Sequence, residues 1–199
     1  MVKLERNTKE TAIELELDLF GEGVYDINTG IGFFDHMLEL WCKHGFIDLK
    51  LKAEGDLEVD KHHTVEDIGI LLGQALNKQL GQRGGITRFG DFTLPMDEVL
   101  VQAVVDLGGR SYYKSNIKSE RTEINGFPIE LVDEFFRALT SNGCINLHLV
   151  VIRNGNAHHL IEGAFKAFAR AMDQALRPDD RLEGRPLSTK GSLGESGRH

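Results

Sequence analysis

The sequence is poor in cysteine, carries no excess of positive charge and has no long apolar run. Only two cysteines occur in 199 residues, Cys42 and Cys144, and they share no CxxC spacing. A disulfide framework is not indicated, and a reducing compartment, the cytoplasm, is expected. Lysine and arginine number 23 against 31 acidic residues, a formal net charge of -8. That balance argues against a broad basic face for nucleic acid but leaves room for a local basic pocket. No stretch approaches the roughly 18 continuous apolar residues of a membrane span. The start, Met1 to Arg6, lacks the apolar core of a signal peptide. What remains is ordinary globular material, 41% hydrophobic and 27% charged, long enough to bury a sizeable core. Segment 188–199 is rich in Gly, Ser and charge and reads as a frayed tail.

The chain repeats itself. His62-His63-Thr-Val-Glu66 and His158-His159-Leu-Ile-Glu162 share the pattern HHxxE. Each opens an apolar-periodic stretch that reads as an amphipathic helix, and both stretches reach Gln-Ala-Leu. Upstream, His44 to Leu51 resembles Asn142 to Leu149, and both read as half-buried strands. Helix-like stretches precede them, Gly32 to Lys43 and Ile129 to Ser141. Before those lie two alternating runs, Ala12 to Phe20 and Glu98 to Leu107. The link from Gln82 to Asp91 contains Gly84-Gly85 and reads as a turn entering a strand. Each half is therefore expected to run strand, strand, helix, strand, helix, an α+β fold. The halves, 1–85 and 86–187, are expected to pack as one pseudo-symmetric unit, followed by the tail 188–199.

Residues i and i+4 of a helix share a face, so His62 pairs with Glu66 and His158 with Glu162. Adjacent histidines are rotated by about 100° and cannot grip one ion from one helix. His62 and His63, like His158 and His159, are suited to two different ions. The alternative for any single HHxxE is a helix cap or a satisfied core histidine, but matched copies in a chain with 8 histidines favour metal. The duplication supplies a further pair of ligands. Asp35-His36-Met-Leu matches Asp133-Glu134-Phe-Phe when Gly45 is aligned with Gly143. His36, His62, His63, Glu66, Glu134, His158, His159 and Glu162 are enough for two ions. Mixed imidazole and carboxylate donors suit Mn, Fe, Co or Zn better than Ca or Mg. Phe33, Phe34, Met37, Leu38, Leu40, Trp41, Phe165, Phe168 and Met172 read as core, and both cysteines as small buried hydrophobes. Asp67 reads either as an acid bonded to a ligating histidine or as a solvated first-turn acid.

Four strings, Phe34-Asp-His-Met-Leu38, Asp60-Lys-His-His-Thr-Val-Glu-Asp67, Asp106-Leu-Gly-Gly-Arg110 and His158-His-Leu-Ile-Glu-Gly-Ala-Phe-Lys166, carry a resemblance to the imidazoleglycerol-phosphate dehydratases of histidine biosynthesis. It spans nearly the whole chain, from Arg6 to Lys190. The resemblance implies a duplicated fold like the second domain of ribosomal protein S5, with two Mn2+ ions per active site. It also implies trimers that build a 24-subunit homo-oligomer, with sites at subunit contacts. One departure stands out: the family position matching Glu134 is often histidine. If Glu134 does not ligate, a water or His148 completes the shell.

The implied substrate is a small-molecule phosphate, imidazole glycerol phosphate, whose reacting carbon is not activated by a carbonyl. Metal on both ring nitrogens favours an imidazolate, which can expel the adjacent hydroxyl. The resemblance points to Glu10 as the acid/base, with Glu66 and Glu162 also in the catalytic set. It places Glu10, Arg88, Arg110, Lys166, Ser188 and Lys190 against the substrate, the cations serving the phosphate. The tail is expected to order over the bound substrate and exclude water. Competing readings are a di-metal phosphate-ester hydrolase and a non-enzymatic metal-storage or shell protein.

Overall fold

The computed structural model describes residues 1–190 and residue 193. The first half runs β1 (Val2–Asn7), β2 (Thr11–Asp18), β3 (Tyr25–Asn28), α1 (Gly32–Gly45), β4 (Asp48–Gly55) and α2 (Lys61–Leu80). The second runs β5 (Phe89–Met96), β6 (Val99–Asp106), β7 (Tyr112–Ser115), the short β8 (Glu123–Ile124) and β9 (Phe127–Pro128), α3 (Leu131–Gly143), β10 (Asn146–Arg153) and α4 (Ala157–Leu176). Each half forms a four-stranded sheet, ordered β1-β2-β4-β3 and β5-β6-β10-β7. The orders are identical once the strands are matched, so the fold is α+β and internally duplicated.

Sequence alternation sets the registers. In β2, Ile13, Leu15 and Leu17 point into the core, opposite Ala53, Leu51 and Leu49 of β4. On the outer face Glu14 opposes Lys52 and Glu16 opposes Lys50. A one-residue slip would put every leucine in water, so burial specifies this pairing. In the second sheet Val101, Ala103 and Val105 oppose Val151, Leu149 and Leu147. There the outer face is less polar: Val104, Val150 and Ile152 are exposed.

The helices of the two halves pack on each other, α2 on α3 and α1 on α4. Where α2 meets α3, a Cβ on Gly73 would lie 2.5 Å from the Leu139 carbonyl oxygen, and one on Gly69 would lie 2.8 Å from that of Phe135. The two glycines therefore admit backbone where a side chain cannot fit. Around the α3–α4 contact Phe136 sits 4.9 Å from Phe165, and Trp41 of α1 stacks on Phe168 at 6.0 Å. The halves thus share one aromatic core.

Four expectations need correction. Each half carries a third strand, β3 or β7, parallel to the strand after the helix. These edge strands are only four residues long and contain no fully buried position. The stretch from His44 is not a strand at its start, because His44 and Gly45 end α1 and Phe46 turns the chain at φ 55 before β4 begins at Asp48. Cys144 does the same after α3 at φ 50 and is only half-buried, unlike Cys42, which is fully buried. Leu40, too, is half-buried rather than core.

Candidate metal centre

The histidine pair of each HHxxE motif sits in the first turn of a capped helix. The Asp60 carboxylate accepts the His62 backbone N–H at 2.9 Å. The Asn156 side chain accepts those of His158 and His159 at 2.8 and 3.4 Å. These caps satisfy first-turn donors that have no partner within the helix. They also fix where the imidazoles emerge. One turn on, Glu66 approaches His62 Nε2 at 3.5 Å, and Glu162 approaches His158 Nε2 at 3.1 Å. The second histidine of each pair turns away. The rings of His62 and His63 stand 6.3 Å apart at 77°, and those of His158 and His159 stand 6.3 Å apart at 90°.

Helix α1 delivers a third donor to one motif. His36 Nε2 lies 4.0 Å from the Glu162 carboxylate, and donor atoms of His36, His158 and Glu162 lie within 4.8 Å of one another. Two imidazoles and a carboxylate from two crossing helices fit a divalent transition ion. Glu162 is nearly buried, and burial pushes its carboxyl pKa up. Lys166 and His158 outweigh that effect and hold it below the ordinary value of 4.5. The carboxylate is therefore charged at neutral pH and available as a ligand. Lys166 bonds directly to it, and its ammonium also lies 3.9 Å from Met96 Sδ.

The other motif is less complete. Glu134 of α3 occupies the place that matches His36, but its carboxylate pairs with Arg137 at 3.5 Å. Among the described residues it belongs to no cluster of three metal-competent groups, and no such cluster draws on both motifs.

Carboxylates outside the motifs meet the outward histidines. His63 Nδ1 contacts Asp56 at 3.1 Å and lies 3.9 Å from Glu10. The Asp56 hydrogen bond is the main reason that the His63 pKa is raised. His159 Nδ1 contacts Glu98 at 3.2 Å, with Asp97 at 3.9 Å. Neither Asp56 nor Glu98 stands out in the sequence, since one is a loop acid after a strand and the other a hairpin-turn acid. His44, two turns beyond His36, was also unmarked. Burial, then Lys166 and Arg170, lower its pKa.

Glu10 lies in the β1–β2 turn with its carboxylate half-exposed. Thr8 Oγ1 accepts the backbone N–H groups of Glu10 and Thr11. Asp67 matches neither expectation for it. It is buried, receives the Thr11 hydroxyl at 2.6 Å and pairs with Arg6 at 2.8 Å. It thereby fastens the turn that bears Glu10 onto α2. Arg88 grips Asp106 through Nε and Nη2 at 2.7 and 3.0 Å and donates Nη1 to the Leu187 carbonyl at 2.6 Å. Its five N–H donors are thus not all used. Arg110 is exposed after the Gly108-Gly109 turn. Ser188 Oγ accepts the Lys190 N–H at 3.1 Å. Beyond Lys190 the tail, residue 193 excepted, lies outside the described residues. Lys166 is the one phosphate-site candidate that bonds into the metal cluster.

The family model for imidazoleglycerol-phosphate dehydratase matches residues 29–172. An imidazoleglycerol-phosphate dehydratase of Thermoanaerobacter sp. (strain X514) is 53% identical over 96% of this chain and 98% of its own length. One of Paracoccus denitrificans (strain Pd 1222) is also 53% identical, with the same coverage of both chains. Among solved structures, the Staphylococcus aureus enzyme superposes with TM-score 0.80 at 38% identity, covering 89% of this chain and 98% of its own. The Pyrococcus furiosus enzyme, in complex with (S)-C348, gives TM-score 0.82 at 34% identity and covers 96% and 100%. Fold and relatives place the protein among the dehydratases. The chain belongs to the imidazoleglycerol-phosphate dehydratase family, whose dehydration step is part of histidine biosynthesis. Among the described residues, no helix is long and apolar enough to cross a membrane.

Proposed function

We propose that this chain converts D-erythro-imidazole glycerol phosphate to imidazole acetol phosphate with release of water, using two Mn2+ ions per active site. The convergence of His36, His158 and Glu162 across α1 and α4 carries the reading. The second set of donors comprises His62, Glu66 and Glu134, on the packed pair α2 and α3. When bound, the ions supply Lewis acidity to both nitrogens of the substrate ring and favour its deprotonated form.

The chain's own groups do the rest. Glu10 takes the proton from the glycerol carbon, in a turn held by Thr8, Thr11 and Asp67. The spare N–H donors of Arg88, with Arg110, Lys166, Ser188 and Lys190, hold the phosphate. Lys166 also keeps Glu162 ionised. His63 and His159 face away from the glutamates of their own helices, so each HHxxE helix serves two sites. Neighbouring copies complete those sites, in an assembly of 24 built from trimers and working in the cytoplasm. The exposed Val104, Val150 and Ile152 give such an assembly an apolar face to bury.

Chelator-stripped protein, before and after addition of Mn2+, is the test, assayed on imidazole glycerol phosphate and on a simple phosphate ester. We expect loss and recovery of dehydration alone, and a fall in native mass on stripping. Dehydration that survives complete removal of metal would sink the reading.

A further inference from the structure

Two carboxylates outside the HHxxE motifs end on the same ring nitrogen of matching histidines. Asp56, in the loop after β4, places Oδ1 and Oδ2 at 3.2 and 3.1 Å from His63 Nδ1. Glu98, in the β5–β6 turn, places Oε2 at 3.2 Å from His159 Nδ1. The two acids are not equivalent positions of the repeat. One follows the fourth strand of its half and the other joins the first two strands of its own. The duplication itself therefore does not account for the shared contact.

An ionised carboxylate only accepts hydrogen bonds, so each Nδ1 must carry the hydrogen. The neutral ring then keeps its lone pair on Nε2, and the contact fixes the rotation of the ring. We propose that Asp56 and Glu98 are positioning residues that lock His63 and His159 as Nδ1–H tautomers and present each Nε2 to a divalent cation. The inference rests on the reading of these histidines as metal ligands.

Glu98 is itself committed to protein donors. Its Oε1 accepts the Asn156 N–H at 2.6 Å while Oε2 takes His159. Asn156 in turn caps α4 beneath His158 and His159, so one glutamate steadies both the ring and the turn that bears it. Asp56 hangs from a loop that its own carbonyl fixes, by accepting the N–H groups of Val59 and Asp60 at 2.8 and 3.3 Å. Alanine at position 56 keeps those backbone bonds.

Loss of the outer hydrogen-bond partner of a ligating histidine weakens metal binding about 10–100-fold. The experiment is a Mn2+ titration of metal-stripped full-length protein, with the thermal midpoint of each variant recorded beside it. We expect Asp56→Ala and Glu98→Ala to bind Mn2+ about 10–100-fold more weakly. Asp56→Asn, which keeps an acceptor oxygen, should recover most of that loss. In His63→Ala and His159→Ala backgrounds, removing the matching carboxylate should cost nothing further. If Glu98→Ala does not fold, Glu98→Gln, which keeps an acceptor for Asn156, carries that arm. Wild-type affinity in the carboxylate variants, with affinity lost in the histidine variants, overturns the positioning role alone. So does a full additive loss in the double variants. Wild-type affinity in His63→Ala and His159→Ala overturns the metal reading and this inference with it.

Discussion

Glu162 shows how one residue is suited to its task by opposed forces. Burial alone would raise its pKa and neutralise it, yet Lys166 and His158 hold it below 4.5. A depressed carboxylate stabilises the fold above its unfolded pKa and loses that contribution as pH falls through the folded value. In metal-stripped protein, Glu162→Gln should therefore cost about 1–3 kcal/mol near neutral pH. The gap to wild type should close as pH falls below 4.5. Urea denaturation across pH measures both, and a pH-independent gap would contradict the assignment. Residues of this kind were legible in part. His158 and Glu162 announce themselves by spacing, whereas Lys166 is pointed to only by the family resemblance. Asp56, Glu98 and Asp67 do not, because the partners that give them meaning lie on other elements.

At the scale of elements, the helices were legible nearly to their ends. Apolar periodicity marks α1 to α4, while the caps at Asp60 and Asn156 emerge only from the structure. The strands were legible where one face is buried, as in β2 and β6. The edge strands β3 and β7 were not, since four residues with no fully buried position leave too short a pattern to read. The glycines of α2 are a tertiary matter as well. Alanine is the better helix former by about 1 kcal/mol. At Gly73, however, its Cβ would meet the Leu139 carbonyl oxygen at 2.5 Å. Overpacking of this kind costs about 1–3 kcal/mol. Gly73→Ala should therefore lower the urea midpoint of the metal-stripped protein, and a raised midpoint would show that α2 and α3 do not approach so closely.

For the whole molecule, the decisive fact is that two like halves bury their helices against each other and leave the HHxxE motifs apart. The tail belongs at this scale, because Leu187, the residue just before it, reaches Arg88 across the chain. Removing residues 188–199 takes away Ser188 and Lys190, and kcat/KM should fall at least about tenfold, or roughly 1.4 kcal/mol. Unchanged kinetics would remove the tail from substrate binding. The sequence by itself determined the duplication, the helix faces and which motif side chains share a face, because helical spacing alone puts His158 beside Glu162. Only the tertiary structure decided that His36 joins that pair while Glu134 turns to Arg137, and that Asp67 fastens the Glu10 turn. Those outcomes depend on how helices cross and where loops end, and no local periodicity encodes such geometry.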